Sequence, residues 1–311
     1  MVAVFIAGDK ESALFHLFTL GERMADRIRF GPAGTPWAFK ELRQPITELP
    51  RFLHKEGLDA LEYQAVRWGQ EPQIKQEDAE KLGTNAKAND VWLSMHGSYF
   101  ISLQSKKDVA EASKRRLLAC ATAAQWMDAH LIVFHPGFYM GHGAKEILQI
   151  SIKIIENIVK DMQALGLTIK LGLETMGKRS QFGSLEEVLT VCEEVEQTAP
   201  VIDWSHIHAR TQGGLIIQAD FIEVIDQIEK RLGRDATENL HCHFSRMEFS
   251  AKGEVRHHTL AETRYGPDFR VLAHVIAEAG LKPVFICESP LIDVDAQKMR
   301  DIFQKRVQKK S

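Results

Sequence analysis

From residue 27 onward the chain alternates eight short apolar runs with eight longer stretches of helical period, and this alternation most constrains its fold. The runs are RIRF (27–30), LDALEY (58–63), VWLSMH (91–96), LIVFH (131–135), LTIKLGLE (167–174), VIDW (201–204), NLHCHF (239–244) and PVFICE (283–288). They are apolar or β-branched, and Gly57, Gly166 or Gly280 comes shortly before three of them, as expected of strands. The intervening stretches, 45–56, 75–88, 108–128, 143–164, 184–198, 218–232, 267–279 and 291–307, carry the helical period. Ser184 followed by Glu187 fits a capping box, and Pro290 suits a helix start. Eight strands alternating with eight helices predict an α/β fold, a parallel (β/α)8 TIM barrel over residues 27–311. A doubly wound sheet would show a glycine-rich phosphate loop after its first strand, and FGPAGTP lacks that spacing. Residues 1–26 fall outside the repeat and are expected to form a helical N-terminal extension, and the basic tail KRVQKKS to fray.

Chemistry in such barrels gathers where strands end and loops begin. Here those positions read His96, His135, Glu174, Asp203 with His206, His243 and Glu288. A lone strand-end histidine is more often a satisfied hydrogen-bonding residue. Six strand ends bearing only His, Asp and Glu instead line one rim with groups suited to zinc, manganese or iron. No cysteine is needed, which fits a catalytic centre better than a closed structural zinc site. More than four ligands implies more than one ion, and Glu174, on the central strand, is the candidate bridge.

Composition excludes several classes. No apolar run is long enough to cross a bilayer, and MVAVFIAG lacks the basic start of a secretory signal. Cys120, Cys192, Cys242 and Cys287 have no CxxC spacing and read as reduced thiols of a cytoplasmic protein. A net charge of −3 makes no general case for nucleic-acid binding but permits a local basic groove.

The strand-end motifs resemble those of endonuclease IV, the metal-dependent apurinic/apyrimidinic endonuclease of the xylose-isomerase-like barrel superfamily, over about residues 27–290. MHGSYFISL is similar to that family's His-x-Ser-Tyr-Leu-Ile-Asn-Leu, FHPG matches outright, and LGLETMG resembles Glu-Asn-x-x-Gly. VIDWSHIHA resembles Asp-Thr-Cys-His, HCHFS the strand with His-Leu-Asn-Asp, and ICESP the closing Glu-Thr-Pro. RFGPAG and LDALEY look like the archaeal-type branch. The resemblance implies two or three zinc ions (manganese or iron being alternatives) on His96, His135, Glu174, Asp203, His206, His243, His257 and Glu288. It selects His243 over His241, and makes Asp203 and His206 ligands of different ions. It implies hydrolysis of DNA 5′ to an abasic site by a metal-bridging hydroxide, with Glu174 and Glu288 as catalytic carboxylates in a monomer. Tyr99 and Phe100 stand where the family wedges the duplex, Arg67 after the second strand could insert beside the damaged site, and Arg256 is a further DNA contact. Trp68 could also insert, though loop packing is its plainer role; Lys178, Arg179, Arg210 and Arg246 are further phosphate candidates.

The chain departs from the family at its third metal. GEVRHHTL puts Val255 where the Asp-x-His element has its aspartate, with Glu254 one residue early. The other enzymatic possibility is a sugar isomerase or epimerase on the same barrel. It would need one ion on Glu174, Asp203, His243 and Glu288 and leave His96, His135 and His206 superfluous. A non-catalytic binding barrel is the third possibility. His208 is left over as a loop residue.

Overall fold

The computed structural model describes residues 25–308, so the expected extension lies, but for Ala25 and Asp26, outside the described residues, as do tail residues 309–311. Eight parallel strands form the barrel: β1 (Arg29–Pro32), β2 (Ala60–Gln64), β3 (Trp92–His96), β4 (Leu131–Phe134), β5 (Lys170–Glu174), β6 (Thr198–Asp203), β7 (His241–Phe244) and β10 (Val284–Cys287). Strands β2 to β7 pair in chain order, and β10 lies between β7 and β1. The ring closes between β1 and β2, where Asp59 N donates to Phe30 O at 3.0 Å and Gly34 N to Glu62 O at 2.9 Å. Glycine is required at this seam. A Cβ on Gly31 would lie 1.8 Å from the Ala60 carbonyl oxygen. The chain therefore forms the expected (β/α)8 barrel.

The outer layer contains α1 (Trp37–Glu41), α2 (Leu49–Lys55), α3 (Gln76–Ala88), α4 (Lys107–Trp126), α5 (Ala144–Ala164), α6 (Leu185–Glu194), α8 (Gln218–Glu238), α9 (Phe269–Ala279) and α10 (Ile292–Gln308). Each long helix buries a stripe at helical period; α5 turns Ile147, Ser151, Ile155, Ile158 and Met162 inward. Burying each aliphatic of that stripe contributes roughly 1.5–3 kcal/mol. The Ser184 capping box forms, with Glu187 N donating to Ser184 Oγ and Ser184 N to Glu187 Oε2. Helix α6 stops short of the expected 198, because Gln197 takes a positive φ of 62° and β6 begins at Thr198. Among the described residues, no helix is long and apolar enough to cross a membrane.

Two insertions depart from the plain repeat. One is the antiparallel hairpin β8 (Arg246–Ser250) and β9 (Gly253–His258), which follows β7. The other corrects the expectation that the sixth strand runs through Trp204 and that His208 is a loop residue. The strand stops at Asp203, and Trp204–Arg210 is a helix, α7. Asp203 Oδ1 caps it, accepting from Ser205 N at 2.7 Å and His206 N at 2.9 Å. Trp204 is fully buried beside Phe221, and Ser205 Oγ donates to Ser245 O at 2.9 Å. A helix of seven residues is too short to announce itself by periodicity.

Candidate metal centre

The C-terminal ends of β3, β4, β5, β6, β7 and β10 converge on the carboxylate of Glu174, which is fully buried. Its Oε2 lies 3.2 Å from both His96 Nε2 and His135 Nε2. Its Oε1 lies 3.0 Å from His206 Nδ1 and 3.5 Å from His243 Nδ1. Glu288 Oε1 approaches His243 Nδ1 at 3.4 Å. Ligating atoms of Glu174, Asp203, His243 and Glu288 all lie within 4.8 Å of one another, as do those of His96, His135 and Glu174. Glu174 belongs to both groups, one oxygen toward each set of imidazoles.

The chemistry of this donor set fits divalent cations. Glu174 Oε1, Asp203 Oδ2, His243 Nδ1 and Glu254 Oε2 are buried without a hydrogen-bond partner, although oppositely charged groups sit within 3.5 Å of each. Groups this close yet misaligned for hydrogen bonds suit a shared cation. Other groups hold the opposite ring nitrogens. His96 Nδ1 is bonded to Gly97 O at 2.9 Å, His206 Nδ1 to Thr175 O at 3.0 Å and His257 Nδ1 to Ser245 Oγ at 2.8 Å. Fixing one nitrogen leaves the other free to ligate.

Without a cation, protons must offset the carboxylates. Burial opposes charge on His96, but its bond to Glu174 and the charge of Glu62 raise its pKa to about 9. Burial likewise opposes charge on His206, but Asp203, Glu254 and Glu174 hold it well above the usual range. Glu174 runs the other way: burial would raise it, but His135 and His243 hold it well below the carboxylate range. A metal must displace those imidazole protons, so its binding near pH 7 should release protons and weaken as pH falls. Calorimetric titration of Zn²⁺ in buffers of different ionisation heat should show net proton release. A heat independent of buffer would contradict it.

The hairpin turns Glu254, and not Val255, toward the cluster. Met247 pairs with His257 and Glu248 with Arg256, but Phe249 pairs with Glu254, so Val255 is bulged out of register. Val255 is 55% exposed, while Glu254 Oε2 reaches His206 Nε2 at 3.1 Å. A β-bulge re-aims a side chain by one residue, and here it brings a carboxylate to His206, whose ring lies 5.7 Å from that of His257. Gly177 makes room, since a Cβ there would sit 2.3 Å from Glu254 Oε2.

Around this cluster the rim residues differ in their freedom. Tyr99 and Phe100 are exposed, 54% and 58%, and the Tyr99 ring stacks on His135 at 5.4 Å. Arg67 and Arg256 are also exposed. Trp68 instead packs into the core against Tyr63, its plainer expected role. Arg210 and Arg246 are not free for phosphate, which corrects that expectation. Arg210 Nη1 donates to the carbonyls of Met176, Lys178 and Gln181, and Arg246 to those of Leu260 and Tyr265. Lys178 is 3.5 Å from Glu254, and Arg179 Nε donates to Arg210 O. His208 lies in α7, not a loop; its Nδ1 accepts from Leu215 N, and burial lowers its pKa to about 4.

Two buried residues near the centre are absent from the expected set, Glu62 and His241. His241 Nε2 and His243 Nε2 both donate to Glu62 Oε2, at 3.1 and 3.0 Å. The signal was available: Glu62 interrupts an apolar strand at an inward position, and His241 shares the parity of His243.

An eight-stranded barrel with carboxylates and imidazoles gathered at its C-terminal mouth defines the class. A model of the xylose isomerase-like TIM barrel family matches residues 50–305, and the chain belongs to that family. It is 32% identical over 269 residues to the uncharacterized protein MJ0133 of Methanocaldococcus jannaschii, covering 86% of this chain and 93% of that one. It is 26% identical over 268 residues to the protein named "Probable endonuclease 4" of Oceanobacillus iheyensis, covering 80% and 87%. Endonuclease IV of Thermus thermophilus superposes with a TM-score of 0.66 at 17% identity, covering 85% of this chain and 94% of that one. A D-tagatose 3-epimerase-like protein superposes at 0.65 and 19% identity, covering 91% and 99%. These superpositions demonstrate the shared fold. All four cysteines are free, as expected.

Proposed function

We propose that this chain is a metal-dependent phosphodiesterase of the endonuclease IV kind, cleaving DNA 5′ to abasic sites in the cytoplasm. The observation that carries this reading is the double-sided environment of Glu174, with His96 and His135 at one oxygen and His206 and His243 at the other. A single ion needs only one of those sides. His96, His135 and Glu174 would hold one ion, and Glu174, Asp203, His243 and Glu288 a second. His206, His257 and Glu254 would hold a third. Divalent cations bound there supply Lewis-acid activation of water and neutralise charge developing on a phosphoryl group. Tyr99 and Phe100, with Arg67 and Arg256, would engage the distorted duplex. The resemblance of the chain to a protein named endonuclease 4 supports the same reading.

The second reading is a one-metal sugar epimerase, favoured by one observation. Burial raises Glu288 to about 8 against the lowering charge of His243, with the charges of Glu174 and Asp203 adding to the rise, a value suited to proton transfer beside a carbonyl. Metal analysis and a nicking assay on a duplex with one abasic site separate the two. Two or three zinc equivalents and chelator-sensitive nicking are expected. One equivalent and no nicking would favour the epimerase.

Glu254 tests the third position separately. Glu254→Ala should lose one bound equivalent and reduce nicking by about 10- to 100-fold, with the other equivalents retained. Unchanged stoichiometry and rate would make the bulge a feature of hairpin packing alone.

A further inference from the structure

Beneath the proposed metal centre, the barrel interior carries a charge that the functional reading leaves unused. Glu62 is fully buried where branched aliphatic side chains usually fill such barrels. Its Oε2 accepts from His243 Nε2 at 3.0 Å and from His241 Nε2 at 3.1 Å. Its Oε1 accepts from Gln64 Nε2 at 3.0 Å, and Ser94 Oγ donates to Oε2 at 3.4 Å. A carboxylate this deep is costly unless fully paired, and here it is paired from several sides. The other nitrogen of His243, Nδ1, has no hydrogen-bond partner and lies 3.4 Å from Glu288 Oε1 and 3.5 Å from Glu174 Oε1. One imidazole thus spans the gap between the buried anion and the carboxylate cluster.

We infer that Glu62 is a positioning residue that holds the Nε2–H tautomer of His243 and so presents Nδ1 as a ligand, with His241 bracing the same carboxylate oxygen. The inference rests on the metal-centre reading proposed above. Carbonyl oxygens hold His96 and His206, and a hydroxyl holds His257, but a carboxylate holds His243. An anionic partner makes an imidazole a stronger donor to a metal than a neutral partner does. The ion held by Glu174, Asp203, His243 and Glu288 is therefore the most tightly bound and the last to leave for a chelator.

The test titrates Zn²⁺ and Co²⁺ into metal-stripped wild type, Glu62→Gln and Glu62→Leu, in competition with a chromophoric chelator. Stoichiometry should match wild type in all three. The tightest equivalent should weaken by about 10- to 100-fold in Glu62→Leu. The effect should be smaller in Glu62→Gln, which keeps an acceptor oxygen, and the Co²⁺ absorption spectrum should change in both. Unchanged affinities with a lower melting midpoint of the metal-free protein would make Glu62 a packing residue and overturn the inference. Loss of one whole equivalent, the rest unaffected, would make Glu62 itself a ligand and overturn it equally. Wild type that binds no divalent ion would overturn the metal-centre reading as well. Should Glu62→Leu not fold, imidazole nitrogen-15 shifts of zinc-loaded wild type decide without a variant. The proton is expected on Nε2 of His243 and the ion on Nδ1, and the reverse would overturn the inference.

Discussion

Glu174→Gln is expected to abolish nicking of abasic duplex DNA while leaving the barrel folded. The substitution preserves size but replaces one ligating oxygen with an amide nitrogen that cannot hold a cation. Because the two oxygens of Glu174 face different imidazole pairs, losing the shared anion weakens two ion positions together. Metal ions typically supply several kcal/mol of transition-state charge stabilisation. At about 1.4 kcal/mol per tenfold, the rate should fall by roughly 10³-fold or more. Bound metal should drop by at least one equivalent. A saturating ion stabilises the fold by about 2.7 kcal/mol at a hundred times its Kd, so the rise in melting midpoint on adding Zn²⁺ should shrink in the variant. Full cleavage with undiminished metal content would remove Glu174 from the mechanism and the phosphodiesterase reading with it.

Gly31→Ala is expected to cause a large loss of stability for a single added methyl group. The new Cβ would sit 1.8 Å from Ala60 O and 2.2 Å from Ala60 C, atoms of the neighbouring strand backbone that cannot rotate away. Relief requires β1 and β2 to separate, straining the bonds Asp59 N–Phe30 O and Gly34 N–Glu62 O that close the ring. Overpacking costs about 1–3 kcal/mol, and each hydrogen bond lost adds about 0.5–1.5 kcal/mol. A destabilisation of about 3 kcal/mol or more follows. Urea unfolding should show a lower midpoint at unchanged slope. Gly69→Ala is the control, because its Cβ would meet only the end of the Gln73 side chain, at 3.6 Å. It should move stability by less than about 0.5 kcal/mol. Equal effects at the two sites would refute the seam argument.

Much of the proposed centre was legible because strand parity is a local property. His96, Glu174, Asp203 and His243 lie on inward positions at or near strand ends, and His135 and Glu288 directly follow theirs, so a list of strand ends already gathers them. Position 254 was not legible in this way. Whether Glu254 or Val255 faces His206 depends on how β9 pairs with β8, and the shift between Glu248 and Phe249 is a property of the pair. Asp203 shows a different limit. Its role as a ligand candidate could be read from its place after an apolar run, but its Oδ1 also caps α7, leaving Oδ2 toward the cluster. Only the helix beyond it reveals that division of labour. Arg210 and Arg246 looked available as basic side chains, yet the carbonyls that occupy them belong to loops distant in the chain.

The alternating elements, the barrel, and the rim on which His96, His135, Glu174, Asp203, His243 and Glu288 gather follow from local patterning of the chain. Periodicities of two and 3.6 act over a few neighbours, and right-handed crossovers send each following strand to the same sheet. That Glu62 grips His241 and His243 across 179 and 181 residues of chain emerges with the folded barrel. The same holds for the bulge that brings Glu254 to His206. The physical reason is that a buried carboxylate is tolerated only where distant strands deliver donors to it. That delivery is set by barrel closure and strand register, which no local stretch encodes.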